Sequence, residues 1–212
     1  MIYMVKKAYR LDFQASVSCR PPHYEGTPPT MVSRQESNKR RNRRKNALLR
    51  FQKEKWRNQA AIPGMHDFIL VLDHLKAGFN IPKIFRSAEV FGAREIHLIN
   101  ISAFDPAPAK GAFRKVPAHF HDSFQTCHSQ LRDQGYKLFM LTADCPTSLY
   151  QAELPAKSAF ILGNEGLGIS FNPLNYPDIH CLGIPQFGSM ESLNVSIAAS
   201  IVMYEYVRQQ HG

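Results

Sequence analysis

The most constraining feature of the sequence is a regular alternation of short apolar runs and amphipathic segments that begins after residue 65. Five runs have the length and composition of buried strands, at 66–75, 95–101, 137–143, 158–163 and 179–185. Between them, helices are predicted over 81–91, 121–134 and 190–209, the first from the helical spacing of Ile81, Ile84, Phe85, Ala88 and Phe91. This order predicts an α/β fold, in which helices cover both faces of a parallel sheet.

Three loops that follow predicted strands are candidates for a ligand site. They are LTADCP at 141–146, GNEGLG at 163–168 and IPQFGSMES at 184–192. Ligands of parallel sheets bind beyond the carboxyl ends of the strands, so these loops are expected to meet there. GNEGLG lacks the spacing of a dinucleotide fingerprint and the Lys-Ser/Thr pair of a P-loop. Taken alone, it is equally a turn whose glycines supply positive φ angles.

The segment after residue 184 carries the most information. Gly188 and Ser189 predict a helix start, with Glu191 in the first turn, where the helix dipole favours a carboxylate. Ser192 and Asn194 would then lie beside amides that can hold a phosphate or a carboxylate. The rest of this helix is apolar on nearly every side, which predicts burial and, in a domain of this size, a subunit interface.

The helix predicted over 81–91 carries one cation away from its apolar stripe. Arg86 lies roughly opposite Ile84, Phe85 and Ala88, which by itself indicates an ordinary solvated arginine. Asn80 stands at the helix start, where an N-cap is its simplest role.

Positive charge is concentrated in one arm of the chain. Residues 31–60 carry eleven Lys/Arg against two Asp/Glu, whereas 61–212 carry eleven against thirteen, for a net charge of +9 in the whole chain. Like charges at this density repel one another unless a polyanion neutralises them. RNA phosphates are the favoured partner, with Arg40, Arg41, Arg43, Arg44 and Lys45 as candidate contacts. A membrane surface and a solvated tail without a ligand remain alternatives, and a short helix is predicted over 46–56, docked through Leu48, Leu49, Phe51 and Trp56.

Composition excludes several classes of protein. Hydrophobic residues make up 44% and charged residues 20%, enough for a core and too apolar for a wholly disordered chain. No run approaches the roughly 18 apolar residues of a membrane helix, and the first residues lack the apolar region of a secretion signal. Residues 1–30, with two Pro-Pro pairs and no periodicity, are expected to be a disordered extension, 31–60 a partly helical arm, and 61–212 the main domain.

The cysteine and histidine pattern favours a reducing compartment and no metal. Cys19, Cys127, Cys145 and Cys181 form no CxxC pair, so reduced thiols in a cytoplasmic protein are expected. His119 and His121 are the closest approach to a ligand cluster, and they fall short of the four closely spaced ligands of a structural zinc site.

Three segments together resemble the SpoU (TrmH-like) family of RNA ribose methyltransferases, in the SPOUT class. The first is NIPKIFRSAEVFG at 80–92, the second FILGNEG at 160–166, and the third runs from Ile184-Pro185 through ESLNVSIAA at 191–199. The resemblance covers about 66–210. It departs from the family at Pro82 and Lys83, where a small residue followed by an apolar one is usual.

The resemblance implies a trefoil-knotted fold, a homodimer, and methyl transfer from S-adenosylmethionine to a ribose 2′-hydroxyl of tRNA or rRNA. It implies that the donor is held around Thr142, Gly163, Asn164, Ile184, Gly188 and Leu193. Arg86 is implied as the key catalytic residue, within a polar shell of Asn80, Glu165, Ser192 and Asn194. A guanidinium stays protonated, so Arg86 suits phosphate anchoring and alignment of the hydroxyl better than proton abstraction. The loop 110–117 would add RNA contacts through Arg114 and Lys115, unless it is merely a solvated loop.

Two rival functions follow from the same sequence. A catalytically silent RNA-binding protein would keep the fold, but retention of Arg86, Glu165 and Asn194 argues against it. A nicotinamide-dependent oxidoreductase would need the dinucleotide fingerprint that this chain lacks.

Overall fold

The computed structural model of the protein describes residues 34–190 and 192–211. The first half contains α1 (Arg34–Asn58), β1 (Phe68–Asp73), α2 (Asn80–Val90), β2 (Glu95–Ile99) and β3 (Ala118–His121). The second half contains α3 (Phe124–Asp133), β4 (Lys137–Leu141), β5 (Ser158–Leu162), β6 (Ile179–Leu182) and α4 (Val195–His211). Short 3-10 turns occur at Ala107–Ala109, Ala112–Arg114 and Pro173–Asn175. The extension predicted for 1–30 lies outside the described residues.

All six strands form one parallel sheet in the order β3-β2-β1-β5-β4-β6. The α/β fold predicted from the sequence is confirmed. The strand order reverses between β1 and β5, which is the kind of position where parallel sheets open a crevice at the carboxyl ends of their strands.

Helices cover the two faces of the sheet, and the side chains of β1 alternate between them. Phe68, Leu70 and Leu72 join the core beneath α2 and α4. Ile69 and Val71 join the core beneath α3. Every residue of β1 is therefore buried, as expected for the central strand of a doubly covered sheet.

Helix α1 is longer than predicted, since it runs from Arg34 rather than from residue 46. Its C-terminal half docks on the domain through Phe51, whose ring lies 5.1 Å from that of Phe104 and 5.8 Å from that of Phe113. The buried Asn58 side chain donates to the carbonyls of Phe113 and Val116, at 2.5 and 2.7 Å, and accepts from the amide of Ala118 at 3.0 Å. The predicted docking of the other apolar residues is wrong, because they are exposed: Leu48, Leu49 and Trp56.

Two further boundaries differ from the prediction. Strand β3 was missed, and the helix expected over 121–134 begins only at Phe124, after Ser123 caps it by accepting from the amide of Thr126. The final helix begins at Val195 rather than near residue 190. Between β6 and this helix the described residues form no further helix or strand.

The cysteines also depart from the expected reduced state. Cys145, in the loop after β4, forms a disulfide with Cys181 of β6, while Cys127 is a free and buried thiol. Cys19 is outside the described residues. In the part of the chain that the structure describes, no helix is both long and apolar enough to cross a membrane.

Candidate active site

The three predicted loops meet around one cavity at the carboxyl ends of β4, β5 and β6. The cavity has a volume of about 440 Å³. Strand ends contribute Leu141, Leu162 and Leu182, and the loops contribute Thr142, Gly163 and Ile184. Its walls are mainly apolar, with a few polar side chains, as in pockets that hold small organic ligands.

Most of the residues predicted to hold a cofactor line this cavity. Thr142, Gly163, Asn164, Ile184 and Leu193 all do so. Gly188 does not; it lies instead in a neighbouring groove with Leu149 and Tyr150. The segment around Gly188 spans the crossing from β6 to α4, which carries it away from the strand ends.

The loop 163–168 is held in shape by its own asparagine. The Asn164 side chain accepts from the amides of Gly166 and Leu167, at 2.9 and 3.1 Å, and donates to the carbonyl of His74 at 2.9 Å. These bonds use both lone pairs of the Asn164 oxygen and one of its two N–H donors, so this residue holds the loop that forms the cavity wall.

Two glycines of this loop are required for different reasons. Gly168 has a φ of +72°, as predicted for a turn glycine. At Gly163 the constraint is space, because a Cβ atom there would lie 2.7 Å from the carbonyl carbon of Gly168.

A chain of polar side chains connects the three motifs at the rim of the cavity. The Asn80 amide donates to a carboxylate oxygen of Glu165, which also lines the cavity. The Asn194 side-chain amide donates to the side-chain oxygen Oδ1 of Asn80 at 3.3 Å. The N-cap role predicted for Asn80 is wrong: Phe79 occupies the cap position without a side-chain bond, and the Asn80 side chain instead faces the other two motifs.

The start of α4 is fixed by Asn194 rather than by Gly188 and Ser189. The Asn194 side-chain oxygen accepts from the backbone amide of Ser196 at 3.0 Å and from its hydroxyl at 2.6 Å. This is the behaviour of a helix-capping side chain. Ser192 lines the cavity just before this cap, while the predicted place of Glu191 in the first turn falls on an undescribed residue.

Arg86 is exposed and stands apart from the cavity of its own chain. It is not among the residues that line the cavity, and it makes no hydrogen bond or ion pair with the described residues. Val90, one turn further along α2, shares its exposed face and is 71% exposed.

The basic residues form a surface on α1 and the loop 110–115. Arg40, Arg41, Arg43, Arg44 and Lys45 are all exposed on the N-terminal half of α1. Nearer the domain, Lys53 of α1 faces Lys110 and Arg114 across a shared groove. Lys115 is exposed but pairs with Glu89 at 2.6 Å, so its charge is partly neutralised within the domain.

Comparison with known proteins decides the family. The SpoU rRNA methylase family pattern matches residues 67–204, which is more than half of the chain. The chain belongs to the SpoU family. This confirms the resemblance drawn from the three motifs. The second and third motifs line the cavity, and Asn80 of the first is bonded to Glu165 and Asn194 at its rim.

Individual relatives agree with this membership. The chain is 30% identical over 152 residues to the 23S rRNA (guanosine-2′-O-)-methyltransferase RlmB of Xanthomonas campestris pv. campestris, covering 68% of this chain and 59% of the relative. This chain thus spans less than two thirds of that SpoU relative's length.

Solved SpoU-family structures share the fold. An RNA methyltransferase of the TrmH family from Porphyromonas gingivalis superposes with a TM-score of 0.60 at 32% identity, covering 71% of this chain and 63% of the other. The SpoU methyltransferase AviRb from Streptomyces viridochromogenes, solved in complex with the cofactor AdoMet, gives 0.63 at 26% identity, covering 71% and 61%.

Several cavity residues were not predicted from the sequence. Gln186 lies within the third predicted loop, so a polar side chain two residues after Ile184 was the available signal. Ile169 and Pro173 also line the cavity. They follow the glycine loop, with Pro173 at the start of a short 3-10 turn, where neither periodicity nor a motif marks them.

Proposed function

We propose that this chain is an S-adenosylmethionine-dependent RNA 2′-O-methyltransferase. The observation that carries the proposal is one cavity lined by the second and third motif segments, with Asn80 of the first joined to Glu165 and Asn194 at its rim. Membership of the SpoU family and the named activities of its relatives support it.

The cavity fits the proposed methyl donor in size and chemistry. A volume of about 440 Å³ lies within the range of pockets that enclose drug-sized ligands. Leu141, Leu162 and Leu182 offer apolar surface for a nucleobase, while Thr142, Gln186 and Ser192 offer polar groups. When bound there, S-adenosylmethionine supplies an electrophilic methyl group.

The polar rim would position the acceptor ribose. A ribose hydroxyl is a weak nucleophile, and holding it in line with the methyl group can lower the barrier by about 7–11 kcal/mol in favourable cases. Glu165 and Asn194 offer acceptor and donor atoms beside the cavity. Arg86 would anchor the neighbouring phosphate, since a guanidinium pairs with phosphate oxygens through two parallel hydrogen bonds.

Arg86 would reach the cavity from a second copy of the chain. We propose a homodimer formed by α2 and α4, which already pack together through a 2.9 Å hydrogen bond between Ser87 and Ser200. Large apolar side chains remain exposed on these two helices and beside them: Phe79, Val90, Leu193, Ile197 and Tyr204. An interface over this surface would bury them and bring Arg86 of the partner subunit toward the polar rim.

The basic arm would supply RNA affinity that does not depend on sequence. We assign 31–60 to this arm and 61–212 to the methyltransferase domain, with tRNA or rRNA as the substrate class and the cytoplasm as the compartment. Exposed arginines on α1 and the groove lined by Lys53, Lys110 and Arg114 support an RNA path along this side. We also expect the crossing before α4 to be threaded as a trefoil knot.

Methyl transfer and donor binding separate the proposal from its rivals. With total RNA and labelled S-adenosylmethionine, we expect ribose methylation by the wild type. Arg86→Ala should bind S-adenosylhomocysteine with unchanged affinity in calorimetry but lose most methyl transfer. Wild-type turnover by this variant would refute the role of Arg86. Binding of RNA without any methylation would favour the silent RNA-binding protein.

A further inference from the structure

A second cluster of chemically reactive side chains lies at the β2–β3 edge of the sheet, away from the proposed methyl-donor cavity. Its three members are His97, His121 and Cys127. The Nδ1 atom of His97 lies 2.9 Å from Nε2 of His121 and 3.3 Å from Sγ of Cys127. All three donor atoms lie within 4.8 Å of one another.

The fold brings these residues together from three elements. In the parallel register His97 pairs with His119 and Ile99 pairs with His121, so all three histidines lie on the same face of β2 and β3. Cys127 reaches that face from the first turns of α3. His97 and Cys127 are fully buried and His121 is partly exposed.

Hydrogen bonds within the cluster cannot satisfy the His121 ring and the Cys127 thiol equally well. A neutral imidazole nitrogen without a proton has one lone pair and accepts one good hydrogen bond. Two donors, the His121 ring and the Cys127 thiol, lie within bonding distance of the same Nδ1 atom. A cation would instead use the lone pairs of all three atoms at once.

A buried carboxylate orients the central histidine for this role. Glu95 accepts from Nε2 of His97 at 2.9 Å and from Nε2 of His119 at 3.2 Å. With its proton on Nε2, His97 directs the Nδ1 lone pair toward His121 and Cys127. A carboxylate that accepts from the far nitrogen of a ligand histidine is the usual outer partner at protein metal sites.

We propose that this chain binds one Zn²⁺ ion through Nδ1 of His97, Nε2 of His121 and the thiolate of Cys127. Binding forms one Zn–S and two Zn–N bonds and releases the thiol proton of Cys127 to solvent. With Zn–N of about 2.0–2.1 Å and Zn–S of about 2.3 Å, Nδ1 of His97 needs to move only a few tenths of an ångström further from the His121 and Cys127 donor atoms. The His121 and Cys127 donor atoms already lie within 4.8 Å of each other. Two imidazoles and a thiolate are donors that zinc prefers.

The surroundings leave room for the fourth ligand. His121 is partly exposed, and it also lines a cavity of about 640 Å³ beside the ends of β1, β2 and β3. We take a water molecule at this partly exposed histidine as the fourth ligand. The ion would join β2, β3 and α3 at the edge of the sheet. This departs from the metal-free expectation drawn from the sequence. Only His119 and His121 are close along the chain, and residues 97 and 127 approach His121 only in the folded protein.

Cobalt substitution in the full chain tests the proposal. Titration of the metal-free protein with Co²⁺, with the Cys145–Cys181 disulfide intact, should saturate at one ion per chain, with visible bands of tetrahedral cobalt and a near-ultraviolet thiolate band. Cys127→Ser should abolish the thiolate band, and His121→Ala should weaken cobalt affinity by at least about tenfold. Glu95→Gln should weaken it by about 10- to 100-fold, as other outer-partner substitutions do.

Two histidine variants serve as controls. His119→Ala removes the other histidine on Glu95, and His180→Ala removes an exposed histidine of β6; both should keep the thiolate band and the stoichiometry. Loss of binding in His119→Ala with retention in Cys127→Ser would overturn the ligand assignment. No saturable uptake by the wild type would overturn the site itself. If Cys127→Ser fails to fold, His121→Ala provides the test, because His121 is partly exposed and its replacement should be tolerated. Unchanged cobalt affinity in His121→Ala would then refute the proposal.

Discussion

At the scale of single residues, the site depends on side chains that bond to one another across long stretches of sequence. Asn80 lies between Glu165 and Asn194, which are 85 and 114 residues away. The local pattern assigned Asn80 to a helix cap, whereas the family resemblance placed it in a polar shell with Glu165 and Asn194. The spacing of nearby residues predicts helix caps and the buried face of a helix. Hydrogen-bond partners that are far apart in the sequence depend on the order of the strands in the sheet, which no short motif encodes.

Replacement of Asn80 tests whether this polar chain matters for activity. Asn80→Ala removes both bonds, and each contributes only about 0.5–1.5 kcal/mol to stability. We expect a small fall in the free energy of unfolding but a loss of methyl transfer of about 10- to 100-fold, because small displacements of reacting groups are costly. Chemical denaturation and single-turnover methylation measure the two effects. The exposed Asn175→Ala should change neither, and an equal activity loss there would contradict the argument.

At the scale of elements, the sequence predicted buried strands well and edge elements poorly. β1 and β5 are continuous apolar runs because both of their faces are covered. β3 carries two histidines among its four residues and pairs only with β2, so it has no strand signal of its own. The N-terminal half of α1 was missed because like charges one turn apart disfavour an isolated helix. Its helicity in the fold accompanies the docking of Phe51 and Asn58.

The disulfide between Cys145 and Cys181 is a second feature that spacing could not predict. It ties the loop after β4 to the edge strand β6, across 36 residues of sequence. A cross-link over a loop of this size contributes about 3–4 kcal/mol by restricting the unfolded chain. We expect Cys181→Ser to lower the free energy of unfolding by about 2–4 kcal/mol under oxidising conditions. A reductant should remove the difference, as measured by urea denaturation.

Peptide mapping after alkylation without reductant provides the check on this pairing. Residues 145 and 181 should remain linked while Cys127 is found as a free thiol once the protein is unfolded. Full alkylation of Cys145 in air-oxidised protein would show that the pair does not form.

At the scale of the whole molecule, the cavity and Arg86 occupy separate places on one chain. The cavity lies at the ends of β4, β5 and β6, whereas Arg86 lies on the exposed face of α2. The sequence assigned the cavity and Arg86 to the same activity, but it could not show that they lie apart on one chain. A two-fold dimer offers two equivalent composite sites, each with a cavity from one chain and an arginine from its partner.

Mixing of two inactive variants tests this arrangement. Arg86→Ala keeps its cavity, while Ala143→Trp should fill the cavity from an exposed lining position and keep its arginine. After subunit exchange, we expect about a quarter of the wild-type activity, because half of the dimers would hold one intact site out of two. Sedimentation equilibrium confirms the dimer. Exchange without recovered activity would place Arg86 at the cavity of its own chain.

The basic arm should set the salt dependence of RNA binding. Replacement of Arg40, Arg41, Arg43, Arg44 and Lys45 by glutamine removes five exposed charges. The slope of log affinity against log salt should fall by about 4, since each phosphate contact contributes about 0.7–0.9. Filter binding at several salt concentrations measures the slope. Lys137→Gln with Lys157→Gln, at the strand ends opposite the cavity, should leave it unchanged.

Because α1 is anchored at Phe51 and Asn58, the arginines of its N-terminal half point in fixed directions around the helix axis. The helix runs without interruption from its anchored end to Arg40, which stands about 16 Å beyond Phe51 at 1.5 Å per residue. Insertion of one residue between Lys45 and Arg50 would turn the outer half by about 100° and lengthen it by about 1.5 Å. The helix thus sets both the distance and the direction at which its arginines would contact a polyanion. The length of the helix therefore affects polyanion binding as much as its charge does.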